Sequence, residues 1–256
     1  MRIVAVEEGF EESFRRFVNQ DRLNCYFFIF DWTLRREQTR ILLALENSYI
    51  RGLMLLYADQ VVQLRGDRKA VESLLDFIDI ENVELQAPID CEEIVLKKYR
   101  AESKHILVLM SLEKGEENIQ MNHTPIRLDM DNAEEIAEVL RKADPEAWGD
   151  LNVAKRHWQD VYILDIRHND KLISVGLTRF ANFGSNISAI ATDKDYRNMG
   201  FATSIVSALV QEILRNSAMA LIHILSDNTP AVRVYSKVGF KPYTQYLFVR
   251  GKKISE

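Results

Sequence analysis

The 256-residue chain is short of the residues that build disulfide frameworks and metal centres. Its two cysteines, Cys25 and Cys91, are far apart and form no CxxC pair, and its five histidines are scattered. Disulfide-rich folds and zinc or iron–sulfur centres require clustered cysteine or histidine residues. We therefore expect neither a disulfide framework nor a bound metal.

Long apolar runs and an excess of positive charge are also absent. No apolar stretch approaches the roughly 20 residues of a membrane-spanning helix, and Glu7, Glu8, Glu11 and Glu12 fall where a signal peptide would have its apolar core. The 33 basic and 38 acidic residues give a net charge of -5, so there is no broad basic surface for nucleic acid or an anionic membrane. The sequence predicts a cytoplasmic protein whose partners are small or cationic, and it leaves the oligomeric state open.

Two common phosphate-binding motifs are missing, since no GxGxxG follows a predicted strand and no GxxxxGK[ST] occurs. Residues 186–215 nevertheless have the pattern of a strand, a turn and a helix. Small and β-branched residues fill 186–192, and apolar residues recur at helical spacing from Ala202 onward. In the turn RNMGFA, at 197–202, Gly200 allows successive backbone N–H groups to point outward at an anion. The turn is a candidate pyrophosphate site.

This R-x-x-G-x-A turn and a second segment, at 221–240, resemble the GNAT superfamily of acetyl-CoA-dependent N-acyltransferases. The second segment, LIHILSDNTPAVRVYSKVGF, has the family's order of strand, asparagine, alanine, tyrosine and Gly-Phe. Local physics favours the same structure, because Thr229 can cap a helix that begins at Pro230 and Gly239 can close it. The order and separation of the two motifs make the joint resemblance specific.

The resemblance implies that acetyl-CoA is the acetyl donor and that no metal takes part. The pyrophosphate of the coenzyme would bind backbone amides of the turn, and the preceding strand would hydrogen-bond the pantetheine arm. Asn228, beyond the end of the next strand, would also bind that arm, although a turn or helix cap is its alternative role. The expected coenzyme-binding residues are Ile190, Ala191, Thr192, Arg197, Asn198, Met199, Gly200, Phe201, Ala202, Thr203 and Asn228.

Tyr235 and His223 are the candidate catalytic residues. Tyr235 matches the family's proton-donor position, and a phenol with an ordinary pKa of about 10 is protonated at neutral pH. Its alternative role is packing on the sheet. His223 lies five residues before Asn228, where certain N-terminal acetyltransferases of the family carry a glutamate, and it can accept a proton near neutral pH. A buried structural histidine is the alternative, and water relayed to bulk solvent is the competing base.

The first half of the chain repeats the element order of the second half. Helix, strand, helix and strand follow Gly66 and Asp67, as they follow the turn at 197–202, but the R-x-x-G-x-A motif is absent. We interpret residues 1–118 as a degenerate GNAT-like domain and residues 119–256 as the catalytic domain, divided within the polar segment 112–124. Tyr99 echoes Tyr235 and is interpreted as structural.

The predicted fold class is α/β (α+β), with a mixed, mostly antiparallel sheet flanked by helices in a duplicated GNAT fold. Hairpins are predicted around residues 47–48 and 169–170. The aromatic run at 25–32 has the β-propensity and apolarity of the core. Trp148 and Trp158 are candidate acceptor contacts, with buried packing as the alternative.

The leading functional hypothesis is an N-acetyltransferase that acts on a primary amine of a small molecule or a peptide. A non-catalytic acyl-CoA-binding regulator is the competing hypothesis, and a purely structural scaffold is the third. The presence of Tyr235 and Asn228 favours the enzyme, whereas a scaffold leaves the turn at 197–202 unexplained. The acceptor is not predicted, because acceptor pockets are formed by loops and early helices outside the coenzyme motif.

Overall fold

The computed structural model describes residues 1–128, 133–143 and 161–254. Trp148 and Trp158 lie outside these residues, so their role stays a prediction. The helices and strands in chain order are β1 (Arg2–Ala5), α1 (Glu11–Val18), α2 (Tyr26–Leu34), β2 (Thr39–Glu46), β3 (Tyr49–Tyr57), β4 (Val61–Gly66), α3 (Arg68–Phe77), β5 (Asn82–Pro88), α4 (Glu92–Lys98), β6 (Tyr99–Glu113), β7 (Ile126–Arg127), α5 (Ala133–Ala143), β8 (Tyr162–His168), β9 (Lys171–Thr178), β10 (Ser185–Thr192), α6 (Phe201–Asn216), β11 (Met219–Leu225), α7 (Thr229–Val238) and β12 (Lys241–Lys253).

The chain folds into two compact units. Unit 1 consists of Met1–Val108, Leu225–Asp227 and Thr244–Glu256, and unit 2 consists of Leu109–Ile224 and Asn228–Tyr243. The C-terminal strand β12 pairs with β5 of unit 1, from Tyr246 opposite Pro88 to Lys252 opposite Asn82. The sequence assigned this strand to the second domain, and its pairing partner could not be inferred from its own residues. The predicted boundary at 118/119 stays a prediction.

Unit 1 is built on a sheet that is covered by helices on both faces. The strand order is β1-β2-β3-β4-β5-β12-β6, and β4 and β5 are parallel. Alternate residues of β2 enter different cores: Ile41 and Leu43 pack with α1 and α2, whereas Leu42 and Ala44 pack with α3. Burial on both faces explains the unbroken apolar run of this strand.

Unit 2 is built on a sheet with the strand order β6-β11-β10-β9-β8-β7. The pairs β7–β8, β8–β9 and β9–β10 are antiparallel, and β10 is parallel to β11. Helix α5 packs on one face, where Ile136 and Leu140 meet Val175. Helix α6 covers the other face so closely that a Cβ placed on Gly176 would overlap Ile205. This packing places α6 directly against β9.

The fold class predicted from the sequence is confirmed, and so are both hairpins. Asn47 and Ser48 have φ of 50° and 69°, and Asn169 and Asp170 have φ of 49° and 61°. Positive φ at both central residues is typical of the tight turns that join antiparallel strands. No helix in the described part of the chain combines the length and the apolarity needed to cross a membrane.

The aromatic run at 25–32 is helical, so the strand-like conformation expected from its β-propensity is wrong. It forms most of α2, in which Phe28 and Trp32, four residues apart, face the core with α1. Burial was predicted correctly. The period was not, because a short run that is apolar on nearly every side has no helical or strand alternation to recognise.

Candidate functional site

Strands β10 and β11 separate immediately after they meet. Their parallel pairing joins Ser185 to Ala220 and Asn186 to Leu221. Within the described residues, 187–192 of β10 have no register partner on β11. The register between β10 and β9 also shifts between Ile187 and Ala189, which marks a β-bulge and bends a strand locally. The result is an opening between two neighbouring strands of unit 2.

Residues 193–200 join β10 to α6, whose N-terminus has no side-chain cap. Its N-cap, Gly200, has φ of 87° and supplies no side-chain hydrogen bond, and the first turn contains no acidic residue. The first helical bond joins the Ser204 N–H to the Gly200 carbonyl oxygen at 3.0 Å. The N–H groups of the first turn therefore point out of the helix, at the positive end of its dipole. This arrangement suits an anion.

The corresponding helix of unit 1 is capped by its own carboxylate. Asp67 is the N-cap of α3, and its Oδ1 accepts the Ala70 N–H at 3.0 Å. Arg51 pairs with the same carboxylate at 2.8 Å. The pKa of Asp67 is lowered, first by the bond from Ala70 and then by Arg51. An anion already occupies this helix end.

The side chains of residues 197–202, which we call the α6 turn, differ in solvent exposure. Arg197 and Asn198 are exposed, Met199 is 57% exposed and Phe201 is buried. Arg197 turns back toward β10, with Nε 3.3 Å from the Thr192 carbonyl oxygen. Asn198 has φ of 64°, so two residues of this turn adopt the left-handed conformation. The exposed side chains of Arg197, Asn198 and Met199 thus precede the helix end, and Phe201 anchors it in the core.

The predicted residues of β10 contribute mainly through their backbone. Ile190 and Thr192 are half-buried, whereas Ala191 is 3% exposed and packs in the core with α5. The Ala191 carbonyl oxygen already accepts the Ser174 hydroxyl at 3.1 Å. The side chain of Ala191 therefore faces this core, and the expected binding of the coenzyme by this strand stays a prediction.

His223 of β11 is paired with a side chain of β10. Its Nδ1 lies 3.1 Å from Asn186 Oδ1, and Asn186 Nδ2 donates to the Ile187 carbonyl oxygen at 3.1 Å. Because the carboxamide oxygen can only accept, Nδ1 is the protonated nitrogen in this contact. The neutral ring then carries its basic lone pair on Nε2. His223 is half-buried, and its role as a base stays a prediction.

Tyr235 of α7 is buried and carries a hydroxyl that forms no hydrogen bond with any described residue. Its ring packs edge-on against Phe240 at 5.4 Å, and the Phe240 N–H donates to the Tyr235 carbonyl oxygen at 3.1 Å. Gly239, with φ of 113°, closes the helix as predicted. Burial raises the pKa of Tyr235 above its ordinary value, so the phenol stays protonated throughout the neutral range.

Asn228 has the capping role that the sequence left as its alternative. Its Oδ1 accepts the Ala231 N–H at 3.2 Å, which makes Asn228 the N-cap of α7. Thr229 and Pro230 therefore occupy the first two helical positions, and the expected cap at Thr229 is wrong by one residue. The amide nitrogen of Asn228 still lies at an exposed helix end.

Residues 166–249 match the family described as FR47-like protein. No curated protein matches the sequence. Solved structures match far more widely: a Drosophila protein has a TM-score of 0.72 and 12% identity, with 97% of each chain covered. The protein has the GNAT fold. An acetyltransferase of the GNAT family from Colwellia psychrerythraea is similar over 98% of this chain and 100% of its own, with a TM-score of 0.61 and 10% identity.

A tandem GNAT protein of the clavulanic acid biosynthesis pathway is also similar, with a TM-score of 0.58 and 11% identity over 85% of this chain and 84% of its own. At these identities the likeness concerns the fold. The sequence predicted a two-domain GNAT protein, and the solved structures show the GNAT fold over most of the chain, whereas the family match covers residues 166–249. In the described part of the chain no three acidic, cysteine or histidine side chains are grouped so that they could hold a metal.

One residue beside the α6 turn was missed by the sequence analysis. His123 stacks on Phe201 with ring centroids 3.9 Å apart, and its Nε2 lies 2.9 Å from the Met199 carbonyl oxygen. The backbone N–H of His123 donates to Ser204 Oγ at 3.2 Å. These contacts span at least 76 positions of sequence, and the polar segment around His123 has no periodic pattern. A single sequence therefore gives no signal that His123 contacts the turn at 197–202.

Proposed function

We propose that the protein is an N-acetyltransferase that transfers acetyl from acetyl-CoA to a primary amine of a small molecule or a peptide. The observation that carries the proposal is the uncapped N-terminus of α6 beside the opening between β10 and β11. The GNAT fold supports acyl transfer in general. The specific donor, the amine acceptor, a cytoplasmic location and the absence of a nucleic-acid or membrane partner are our proposals.

The turn before α6 fits a pyrophosphate. A Cβ placed on Gly200 would have Asn122 Nδ2 at 3.8 Å and His123 Nε2 at 3.9 Å as its nearest neighbours, so the space above the turn is open. The uncapped N–H groups supply donors and the helix dipole supplies favourable potential. We therefore assign residues 198–203 to the pyrophosphate of the coenzyme.

The opening beside β10 fits an amide-bearing chain such as the pantetheine arm. Backbone N–H and C=O groups that have no neighbouring strand need other hydrogen-bond partners when they are buried. Residues 187–192 have β9 on one side and no register partner on β11 on the other. An arm with its own amide groups can take the place of the missing strand over this stretch.

His223 and Tyr235 have separate roles in the proposed reaction. His223 Nε2 accepts a proton from the acceptor amine, while Asn186 holds the ring by its Nδ1–H. The coenzyme supplies the acetyl group as a thioester, and its departing sulfur needs a hydrogen-bond donor. Tyr235 is that donor. The ordinary pKa of a phenol, about 10, already exceeds the roughly 8.5 of a thiol, and burial raises the pKa of Tyr235 further, so its main contribution is a hydrogen bond to the developing thiolate.

Binding is tested with Gly200→Val. Valine strongly disfavours the φ of 87° and fills the approach to the turn, so acetyl-CoA should bind at least about tenfold more weakly. Gly115→Val is the matched control, because Gly115 also has a positive φ, of 95°, and open space around it. Calorimetric affinities that are equal in the Gly200 variant and the parent would refute the pyrophosphate assignment.

A non-catalytic acyl-CoA-binding regulator has the same coenzyme site and no turnover. A panel of primary amines, incubated with acetyl-CoA and analysed by mass spectrometry, separates the two functions. The enzyme should add one acetyl group, about 42 Da, to at least one amine at a rate that depends on Tyr235. Binding of acetyl-CoA without product from any amine class would favour the regulator.

A further inference from the structure

Unit 1 contains a buried cation that the proposed chemistry does not use. Arg65, near the end of β4, is 4% exposed. Its Nε donates to the Asn24 carbonyl oxygen at 2.8 Å, its Nη1 to the Leu64 carbonyl oxygen at 2.8 Å, and its Nη2 to Gln86 Oε1 at 2.7 Å. All three acceptors are neutral. Among the described residues no carboxylate lies within 4 Å of the guanidinium to balance its charge.

The guanidinium is held in a fixed plane. Its central carbon lies 4.0 Å from the ring centroid of Tyr246, and the Tyr246 hydroxyl donates to Asn24 Oδ1 at 2.8 Å. Burial lowers the pKa of Arg65, and the neighbouring Tyr246, Cys25 and Asp21 act in the opposite direction. A charge that is buried without a paired carboxylate is costly. We therefore expect the buried charge of Arg65 to have a role that offsets this cost.

A cavity of about 550 Å³ lies over this group. Its walls, all from unit 1, include Asn24, Arg65, Ile89, Asp90, Thr244 and Tyr246. Such a volume is in the range that takes a small organic molecule. Asp90 is the acidic member of the wall and is exposed, so its carboxylate stays hydrated.

We propose that this cavity is a binding site for a small organic carboxylate, which pairs with the Arg65 guanidinium. A planar guanidinium matches a carboxylate in shape and charge. The bonds to Asn24, Leu64 and Gln86 fix its orientation before the ligand arrives, which lowers the entropic cost of binding. The site is separate from the α6 turn, and the inference does not depend on the proposed acetyltransferase activity.

The test is a titration of the full chain with sodium acetate and sodium lactate, followed by thermal unfolding, with sodium chloride at equal ionic strength as the reference. The titrations are made in the Ala202→Glu background, so that carboxylates bound at the α6 turn do not contribute. A saturable rise in Tm that chloride does not produce is expected. An equal response to chloride would overturn the proposal.

Two variants locate the site. Asp90→Asn removes the repelling carboxylate, and affinity for lactate should rise by about threefold to tenfold, whereas Glu72→Gln, an exposed change on α3, should leave it unchanged. Arg65→Met should abolish the response. If Arg65→Met fails to fold, the Arg65 Nε–H resonance of the parent must move during the titration. An unmoved resonance, or equal affinities in parent and Asp90→Asn, contradicts the site.

Discussion

His223 Nδ1 lies 3.1 Å from Oδ1 of Asn186, which forms the last paired position of β10 and β11 with Leu221. Beyond this contact the two strands separate. The pair thus stands at the inner end of the opening, where it fixes the ring of the proposed base. The contact orients the imidazole at the point where the two strands diverge.

The first prediction tests this pair through pH. His223→Gln should lower kcat/KM at neutral pH by about 10²-fold or more, with partial recovery at high pH, where the acceptor amine loses its proton unaided. Asn186→Asp replaces a neutral acceptor with a charged one that stabilises the imidazolium. The acid limb of the pH–rate profile should therefore move to higher pH. An acid limb that persists unchanged in His223→Gln would exclude His223 as the base.

The second prediction concerns Tyr235 and has a matched control at Tyr99. Tyr235→Phe removes a hydroxyl that has no hydrogen-bond partner among the described residues, so the single-turnover rate should fall by about 10²–10⁴ while Tm stays equal or rises. Tyr99 of unit 1 is fully buried, its hydroxyl is also unpartnered, and burial raises its pKa to about 12. Tyr99→Phe should affect stability in the same way and leave the rate unchanged. A parental rate in Tyr235→Phe would remove Tyr235 from the mechanism.

The third prediction uses a buried carboxylate in β8. Asp165 is fully buried, its Oδ1 has no partner in the described residues, and Arg167 Nε donates to its Oδ2 at 2.9 Å. Burial raises the pKa of Asp165, although Arg167 opposes the rise. A raised carboxyl pKa contributes stability that is complete below about pH 4 and is lost as the pH rises through the folded-state value.

Asp165→Asn should therefore gain stability relative to the parent as the pH rises, because the amide cannot ionise. Thermal unfolding of both proteins between about pH 4.5 and about pH 7.5 measures the difference. Glu138→Gln serves as the control of opposite sign, since Lys142 lowers the pKa of Glu138. A Tm difference between Asp165→Asn and the parent that does not vary with pH would contradict this account.

Local signals in the sequence predicted the elements and turns that depend on neighbouring residues. The α6 turn follows from Gly200, the end of α7 from Gly239 and the hairpins from their Asn-containing turns. Each is decided by the φ preference of one or two residues. The GNAT resemblance then supplied the roles of the turn and of Tyr235.

Long-range pairings were beyond the sequence. The contact between His223 and Asn186 depends on the register of two parallel strands, and that of His123 with Met199 joins segments that share no pattern. The placement of β12 beside β5 depends on packing across most of the chain. In each case the deciding interaction is tertiary, so propensity and periodicity carry no information about it.

The central claim, that one coenzyme binds at the N-terminus of α6, is tested most directly by titrating acetyl-CoA calorimetrically into the parent, Ala202→Glu and Ala202→Gln. The glutamate adds a carboxylate to the first turn, where it favours the helix but competes with pyrophosphate. We predict one site per chain, since Asp67 already caps α3, with binding at least about tenfold weaker in the glutamate variant, no loss of Tm, and near-parental affinity in the glutamine variant. Equal affinity in Ala202→Glu and the parent, or two equivalent sites per chain, would contradict the account.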